Sequence, residues 1–148
     1  MQTEIERKFL VKSKAYKKDY FKKSEIIQGF LNKDKRRTVR IRLKDQKAYI
    51  TIKGISSEDG LSRLEWEKEI DYTDAKQLLE LCEKPLLHKT RYEVLYRKKV
   101  FEVDEFHNNH KGLVIAEIEL KSKDEIFDKP DWLGIEVTGD KRYYNSQL

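Results

Sequence analysis

The sequence predicts one α+β domain dominated by antiparallel strands, and three observations carry that prediction. Charged and apolar residues alternate with period two in six separate segments, the pattern of strands with two unlike faces. Polar, Gly-containing or Asn-rich turns separate those segments at hairpin intervals. Helical spacing is confined to two stretches, too few to build a helical core. Composition does not shift along the 148 residues, and there is no linker, internal repeat or low-complexity tail. A single domain spanning 1–148 is therefore expected.

Taken in order, Thr3–Val11 reads as the first strand, with Glu4, Glu6 and Lys8 on one face and Ile5 and Phe9 on the other. Ser13 is placed to cap a helix running to about Lys23, whose apolar side holds Ala15, Tyr16, Tyr20 and Phe21. Ser24–Leu31 reads as a strand ended by the polar turn Asn32–Arg36, and Thr38–Lys44 with Lys47–Lys53 as a hairpin around Asp45-Gln46. The Gly- and Ser-rich stretch Ile55–Ser62 reads as a loop before the strand Arg63–Ile70. Thr73-Asp74 marks a helix start, Ala75, Leu78, Leu79 and Cys82 recur at helical spacing, and Pro85 follows the stop. His88–Leu95, Arg97–Glu105 and Leu113–Lys121 read as three antiparallel strands, the last two joined by the turn His107–Gly112. A helical turn is expected at Ser122–Phe127, and a short final strand at Ile135–Thr138, broken by Gly139-Asp140.

The bulk properties bound the function. The chain is 40% charged and 38% hydrophobic with a net charge of +5, a balance that favours anionic partners. Cys82 is the only cysteine, so no internal disulfide can form and a reducing compartment is expected. Charges from Glu4 onward argue against a secretory leader, and no apolar run approaches the roughly 20 residues that span a bilayer. A cytoplasmic protein is the expectation.

The polar face of a half-buried sheet ordinarily meets water, where cross-strand ion pairs contribute less than about 1 kcal/mol each. This face is sorted more strictly than solubility requires. Acids alternate at Glu65, Glu67 and Glu69 and again at Glu117 and Glu119, while bases pair at Arg40 and Arg42 and at Lys89 and Arg91. Arg occupies three of those four basic positions, and its planar donors suit phosphate oxygens. If the sheet curls with this face inward, like charges 4 Å apart at an effective dielectric near 20 cost about 4 kcal/mol per pair. Such a lumen calls for ligands: a hard divalent cation for the carboxylates and a polyanion for the bases. Together these describe a metal–phosphate complex suited to in-line hydrolysis.

These residues resemble the CYTH proteins, or triphosphate tunnel metalloenzymes. Glu4-x-Glu6-x-Lys8 is similar to the family's ExExK signature. Arg40-x-Arg42, Thr51-x-Lys53-Gly54, Arg63-x-Glu65-x-Glu67, Lys89-x-Arg91, Asp104 and Glu117-x-Glu119 follow in family order. Glu136–Asp140 and then Tyr143-Tyr144-Asn145-Ser146 resemble the ending of short bacterial members. The resemblance implies an eight-stranded closed antiparallel barrel with a charged lumen and helices packed outside. It implies Mg²⁺ or Mn²⁺, two per site, with metal ligands Glu4, Glu6 and Glu119 and, at the second metal, Asp104 and Glu117. Catalytic acids near the attacking water are then Glu65, Glu67 and Glu117. Lys8, Arg40, Arg42, Lys53, Lys89 and Arg91 would grip the triphosphate, as would Lys141, in a segment near Lys141–Ser146 expected to close one tunnel end.

The leading function on this reading is hydrolysis of inorganic triphosphate to diphosphate and phosphate. The alternatives are an adenylyl cyclase of the same fold, a thiamine triphosphatase, and a non-catalytic polyphosphate or nucleotide binder. The many carboxylates argue against a pure phosphate or nucleic-acid binder. The expected partner is a small triphosphate, without nucleic acid or membrane, on a monomer or homodimer. Trp66 and Trp132 read as packing, Cys82 as a buried small hydrophobe, and His107 and His110 as residues of an exposed turn.

Overall fold

A computed structural model describes the whole chain, Met1–Leu148. Nine strands form: β1 (Gln2–Val11), β2 (Tyr20–Asn32), β3 (Arg37–Lys44), β4 (Lys47–Gly54), β5 (Ser62–Ile70), β6 (Leu87–Tyr96), β7 (Lys99–Phe106), β8 (Val114–Glu119) and β9 (Leu133–Glu136). One α-helix, α1 (Tyr72–Leu81), lies between β5 and β6. The sheet order is β5-β4-β3-β2-β6-β7-β8-β1-β9, and β5 also pairs with β1, so eight antiparallel strands close into a barrel. Closure happens along β1: its residues Gln2 to Ile5 pair with β5, and further on Phe9 and Val11 pair with β9 instead.

The period-two pattern reads inside out. In β3, Arg40 and Arg42 face the lumen while Ile41 and Leu43 face outward beneath α1, where they pack with Ala48, Ala75, Leu79 and Cys82. A second and larger outer core joins Phe9, Tyr92, Phe101 and Ile118 to Tyr16 and Trp132, which arrive from the segments flanking the barrel. The hydrophobic effect thus acts on the barrel's outer surface, with each fully buried Leu, Ile or Phe contributing about 1.5–3 kcal/mol.

Several local expectations need correction. Instead of a helix from Ser13 to Lys23 there is one 3₁₀ turn, Ala15–Lys18, and β2 already begins at Tyr20. Tyr16 is fully buried edge-on to Tyr92 and Trp132, and cross-strand pairing of Tyr20 with Val94 extends the chain where a helix would continue. Helix α1 starts at Tyr72, just before the expected Thr73-Asp74, and is capped by Asp71, whose carboxylate accepts the Asp74 N–H at 3.0 Å. Arg97 belongs to the turn rather than the strand: Arg97 and Lys98 have φ of 45° and 71°, the two-residue hairpin geometry usually given to Asn-Gly. Ser122–Phe127 holds only a turn, because Phe127 is drawn onto Phe9 and Phe101 with ring centroids at 6.1 and 6.0 Å. The final strand is Leu133–Glu136 rather than Ile135–Thr138, its register set by pairing Leu133 with Val11 and Glu136 with Phe9. The helices expected outside the barrel reduce to α1 and short 3₁₀ turns.

The outer core makes a direct prediction. Phe101 is fully buried against Phe127 and Trp132, so Phe101→Ala should cost about 3–5 kcal/mol in urea unfolding. Ile126→Ala, at a side chain left 92% exposed, should stay within about 0.5 kcal/mol of the parent.

Candidate active site in the tunnel

The lumen is a cavity of about 320 Å³ lined by 26 residues, of which only three are hydrophobic. Every strand from β1 to β8 contributes through its inward parity, and backbone pairing sets which groups meet. Glu6 lies opposite Glu119 and Lys8 opposite Glu117 across β1–β8. Lys53 faces Glu65, and Thr51 faces Glu67, across β4–β5. Arg91 faces Asp104 across β6–β7. All the residues predicted for the site line this cavity except Asp104 and Lys141.

The carboxylates crowd one another. Burial, followed by the neighbouring Glu117 and Glu4, raises the Glu6 carboxyl well above its usual range. Burial and then Glu4 raise Glu65, and burial with Glu4, Glu102 and Glu65 pushes Glu119 up to about 7. Glu117 goes the other way: against burial, Lys8 and a hydrogen bond from the Glu6 carboxyl hold it down to about 2. Lys53 bridges two of the acids, 2.8 Å from Glu4 Oε1 and 3.6 Å from Glu65 Oε2. Glu67 is held by Thr51 Oγ1, which donates to it at 2.6 Å, and by Arg40 at 3.4 Å.

The cations divide into paired and open groups. Arg91 donates twice to Asp104, at 2.8 and 2.9 Å, and Lys89 Nζ reaches the same carboxylate at 2.8 Å. Those two cations hold Asp104 far below the carboxylate range despite burial. Burial, with Arg42 and Arg91 adding to it, draws Lys89 down to about 7 against the pull of Asp104. Arg42 is in no ion pair; its Nε donates to Gln28 Oε1 at 2.8 Å, and burial lowers it well below the guanidinium range. Arg40 Nε is buried without any partner. Cations desolvated without counter-ions are stabilised by an anion entering beside them.

Some of the lining carries no site role from the sequence. Glu102 stands two residues before Asp104, and the same alternation points to it. Arg63, Tyr144 and Asn145 stand in motifs of the family resemblance without an assigned role, and all three line the cavity, the last two on a non-periodic terminal segment. Lys141 is exposed, and the residues after it are the ones that reach the lumen. His107 and His110 lie outside the lining, where His107 Nε2 meets Thr90 Oγ1 at 2.7 Å. Trp132 is core, and Trp66 packs cross-strand with Ile52 on the outer face.

The donor set fits a hard divalent cation by its chemistry. Glu6, Glu65 and Glu119 are driven toward protonation by burial and by neighbouring carboxylates, Glu4 in every case, and a cation beside them removes that penalty. No three acidic, His or Cys side chains are grouped so that they could hold a metal ion by themselves. An open set is what Mg²⁺ uses when it keeps waters and shares phosphate oxygens with the substrate.

Comparison with known proteins agrees with this geometry. The CYTH domain family profile matches residues 2–145. A protein of Acetivibrio thermocellus named inorganic triphosphatase is 49% identical over 149 residues, covering 100% of this chain and 94% of that one. One of the same name from Nitrosomonas europaea is 38% identical, over 99% of this chain and 96% of its own. The crystal structure of an inorganic triphosphatase superposes with a TM-score of 0.69 at 34% identity, covering 99% and 94% of the two chains.

The buried Asp104 arrangement predicts a stability effect. Asp104→Asn leaves Arg91 and Lys89 without their shared counter-ion and should destabilise the fold by about 3–5 kcal/mol in urea titration.

Proposed function

This chain belongs to the CYTH domain family, and on that premise we propose that it is a divalent-metal-dependent triphosphatase cleaving inorganic triphosphate to diphosphate and phosphate. The observation that carries the reading is a closed tunnel in which Arg42, buried without an ion-pair partner, and Arg40, its Nε buried without an acceptor, share one cavity with mutually repelling carboxylates. Its relatives at 49% and 38% identity are named for the same activity.

Lys8, Arg40, Arg42, Lys53, Lys89 and Arg91 bind the phosphate oxygens, and their positive charge opposes the negative charge that builds on the departing diphosphate. Glu4, Glu6, Glu117 and Glu119 would hold Mg²⁺ or Mn²⁺, one or two per site. Asp104, already engaged by Arg91 and Lys89, acts through those cations. The bound cation supplies charge neutralisation on the phosphate chain and a more acidic water. The acids separate by environment. Glu117 stays an anion throughout, whereas Glu65, with its raised affinity for protons, takes the proton from the attacking water. Glu67, fixed by Thr51 and Arg40, positions that water. The water oxygen bonds to the terminal phosphorus as the bridging P–O bond breaks, and diphosphate carries away the bond's electron pair.

A lining with three hydrophobic residues offers little for a purine or thiazole ring, which favours hydrolysis of the inorganic chain over cyclisation or thiamine triphosphate cleavage. No helix is long and apolar enough to cross a membrane. A cytoplasmic setting suits the lone buried thiol of Cys82.

The test is phosphate release from inorganic triphosphate, ATP and thiamine triphosphate in Mg²⁺ and in Mn²⁺. Rapid release from the inorganic chain is expected, falling at least about a hundredfold in Glu6→Gln, in line with loss of one electrostatic contact to the transition state. Cyclic AMP from ATP, or an unaffected Glu6→Gln, would contradict the assignment.

A further inference from the structure

One end of the tunnel is blind, and the last residues of the chain build it. On three adjacent strands the inward face changes from charged to apolar in a single step: Lys89 to Leu87, Asp104 to Phe106, Glu117 to Ile115. Leu87, Phe106 and Ile115 form a buried cluster onto which Tyr143 and Leu148 pack, so hydrocarbon fills the barrel beyond that level. Asn145 sits at the boundary and lines the cavity. Its Oδ1 accepts from Lys89 Nζ at 2.7 Å and from Gln28 Nε2 at 2.8 Å, and Gln28 in turn accepts from Arg42. A guanidinium can only donate, so Arg42 takes the Gln28 oxygen, the Gln28 Nε2 group is left to face Asn145, and the Asn145 oxygen turns toward it. The Asn145 side chain is bonded only through that oxygen, and its Nδ2 group donates to no protein acceptor. Just before it, the Tyr143 carbonyl accepts from Lys8 Nζ at 3.2 Å, and the Tyr144 ring lies 5.2 Å from the same ammonium.

We propose that Asn145 is the end-stop of the tunnel: its free amide donates to the oxygen of an unesterified terminal phosphate, while its carbonyl holds Lys89 and, through Gln28, Arg42 against that same group. The inference rests on the tunnel being the triphosphate site. It adds a specificity rule, because the hydrocarbon floor leaves no room for an ester group. The chain must offer at least one free phosphate end.

The experiment is calorimetric titration in EDTA, where hydrolysis does not run, with inorganic triphosphate and with diadenosine triphosphate, whose two ends are both esterified. The parent protein should bind the first and fail to bind the second. Asn145→Ala should bind triphosphate at least about tenfold more weakly, consistent with losing a hydrogen bond to a charged group. Asn145→Asp keeps both acceptor contacts but puts a carboxylate where the phosphate would stop, and should abolish binding. Equal binding of triphosphate by the parent and Asn145→Asp, or tight binding of diadenosine triphosphate, would overturn the end-stop while leaving the tunnel as the triphosphate site. A parent protein that binds no triphosphate in EDTA and releases no phosphate from it in Mg²⁺ would overturn both.

Discussion

The structure depends on one electrostatic constraint: a closed sheet has turned its charged face inward. Closing β5 onto β1 leaves no strand edge in the barrel and brings Glu4, Glu6, Glu65 and Glu119 into one confined space. Part of the resulting repulsion is answered inside the protein, by Lys53 between Glu4 and Glu65 and by Arg91 and Lys89 on Asp104. The remainder shows as a raised proton affinity of Glu6, Glu65 and Glu119 and as the desolvation of the unpaired Arg42 guanidinium. Metal and polyanion remove that frustration together, since each neutralises what the other half of the lumen lacks.

The same inversion explains where stability comes from. With a lumen that is polar except for the small cluster of Leu87, Phe106 and Ile115 at one end, the barrel is held mainly by two apolar layers that wrap it from outside. Helix α1 covers the β2–β4 side through Ala75 and Leu79. Tyr16, Phe127 and Trp132 cover the side made of β1, β6, β7 and β8. The glycines that bring loops together at the tunnel follow from close approach. Gly60 and Gly139 both have φ near +78°, and a Cβ on Gly60 would lie 2.3 Å from the Gly139 Cα. Backbone contact there joins the 55–61 loop to the C-terminal segment beside Thr138 and Tyr144, which both line the cavity.

Most of the barrel was legible because period-two alternation survives even when its meaning is reversed: Arg40-Ile41-Arg42 says strand whichever side is wet. That the charged side is the inner one was not legible from periodicity; the sorting of acids and bases by strand, and the family resemblance, pointed to it. Local errors came from tertiary contacts overriding weak signals. Tyr16 and Tyr20 at helical spacing are instead anchors for a 3₁₀ turn and a strand, because Tyr92 receives both rings. Arg97-Lys98 forms a tight hairpin without the usual Asn-Gly, so its turn left no mark. The family resemblance pointed to the terminal segment as a tunnel closure but to Lys141 within it, because an irregular segment has no period to say which side chain turns inward; Asn145 is the one placed there by the apolar cluster beneath it.

The central claim is that the tunnel's carboxylates exchange protons for a cation. Glu119, drawn up to about 7, is mostly protonated at pH 6 and mostly ionised at pH 9. Mg²⁺ binding measured by calorimetry in buffers of different ionisation enthalpy reports the protons exchanged. Release on the order of one proton per cation is predicted at pH 6, fading by pH 9 as the carboxyls ionise unaided, and reduced in Glu119→Gln. Cation binding at pH 6 without proton release would contradict the account.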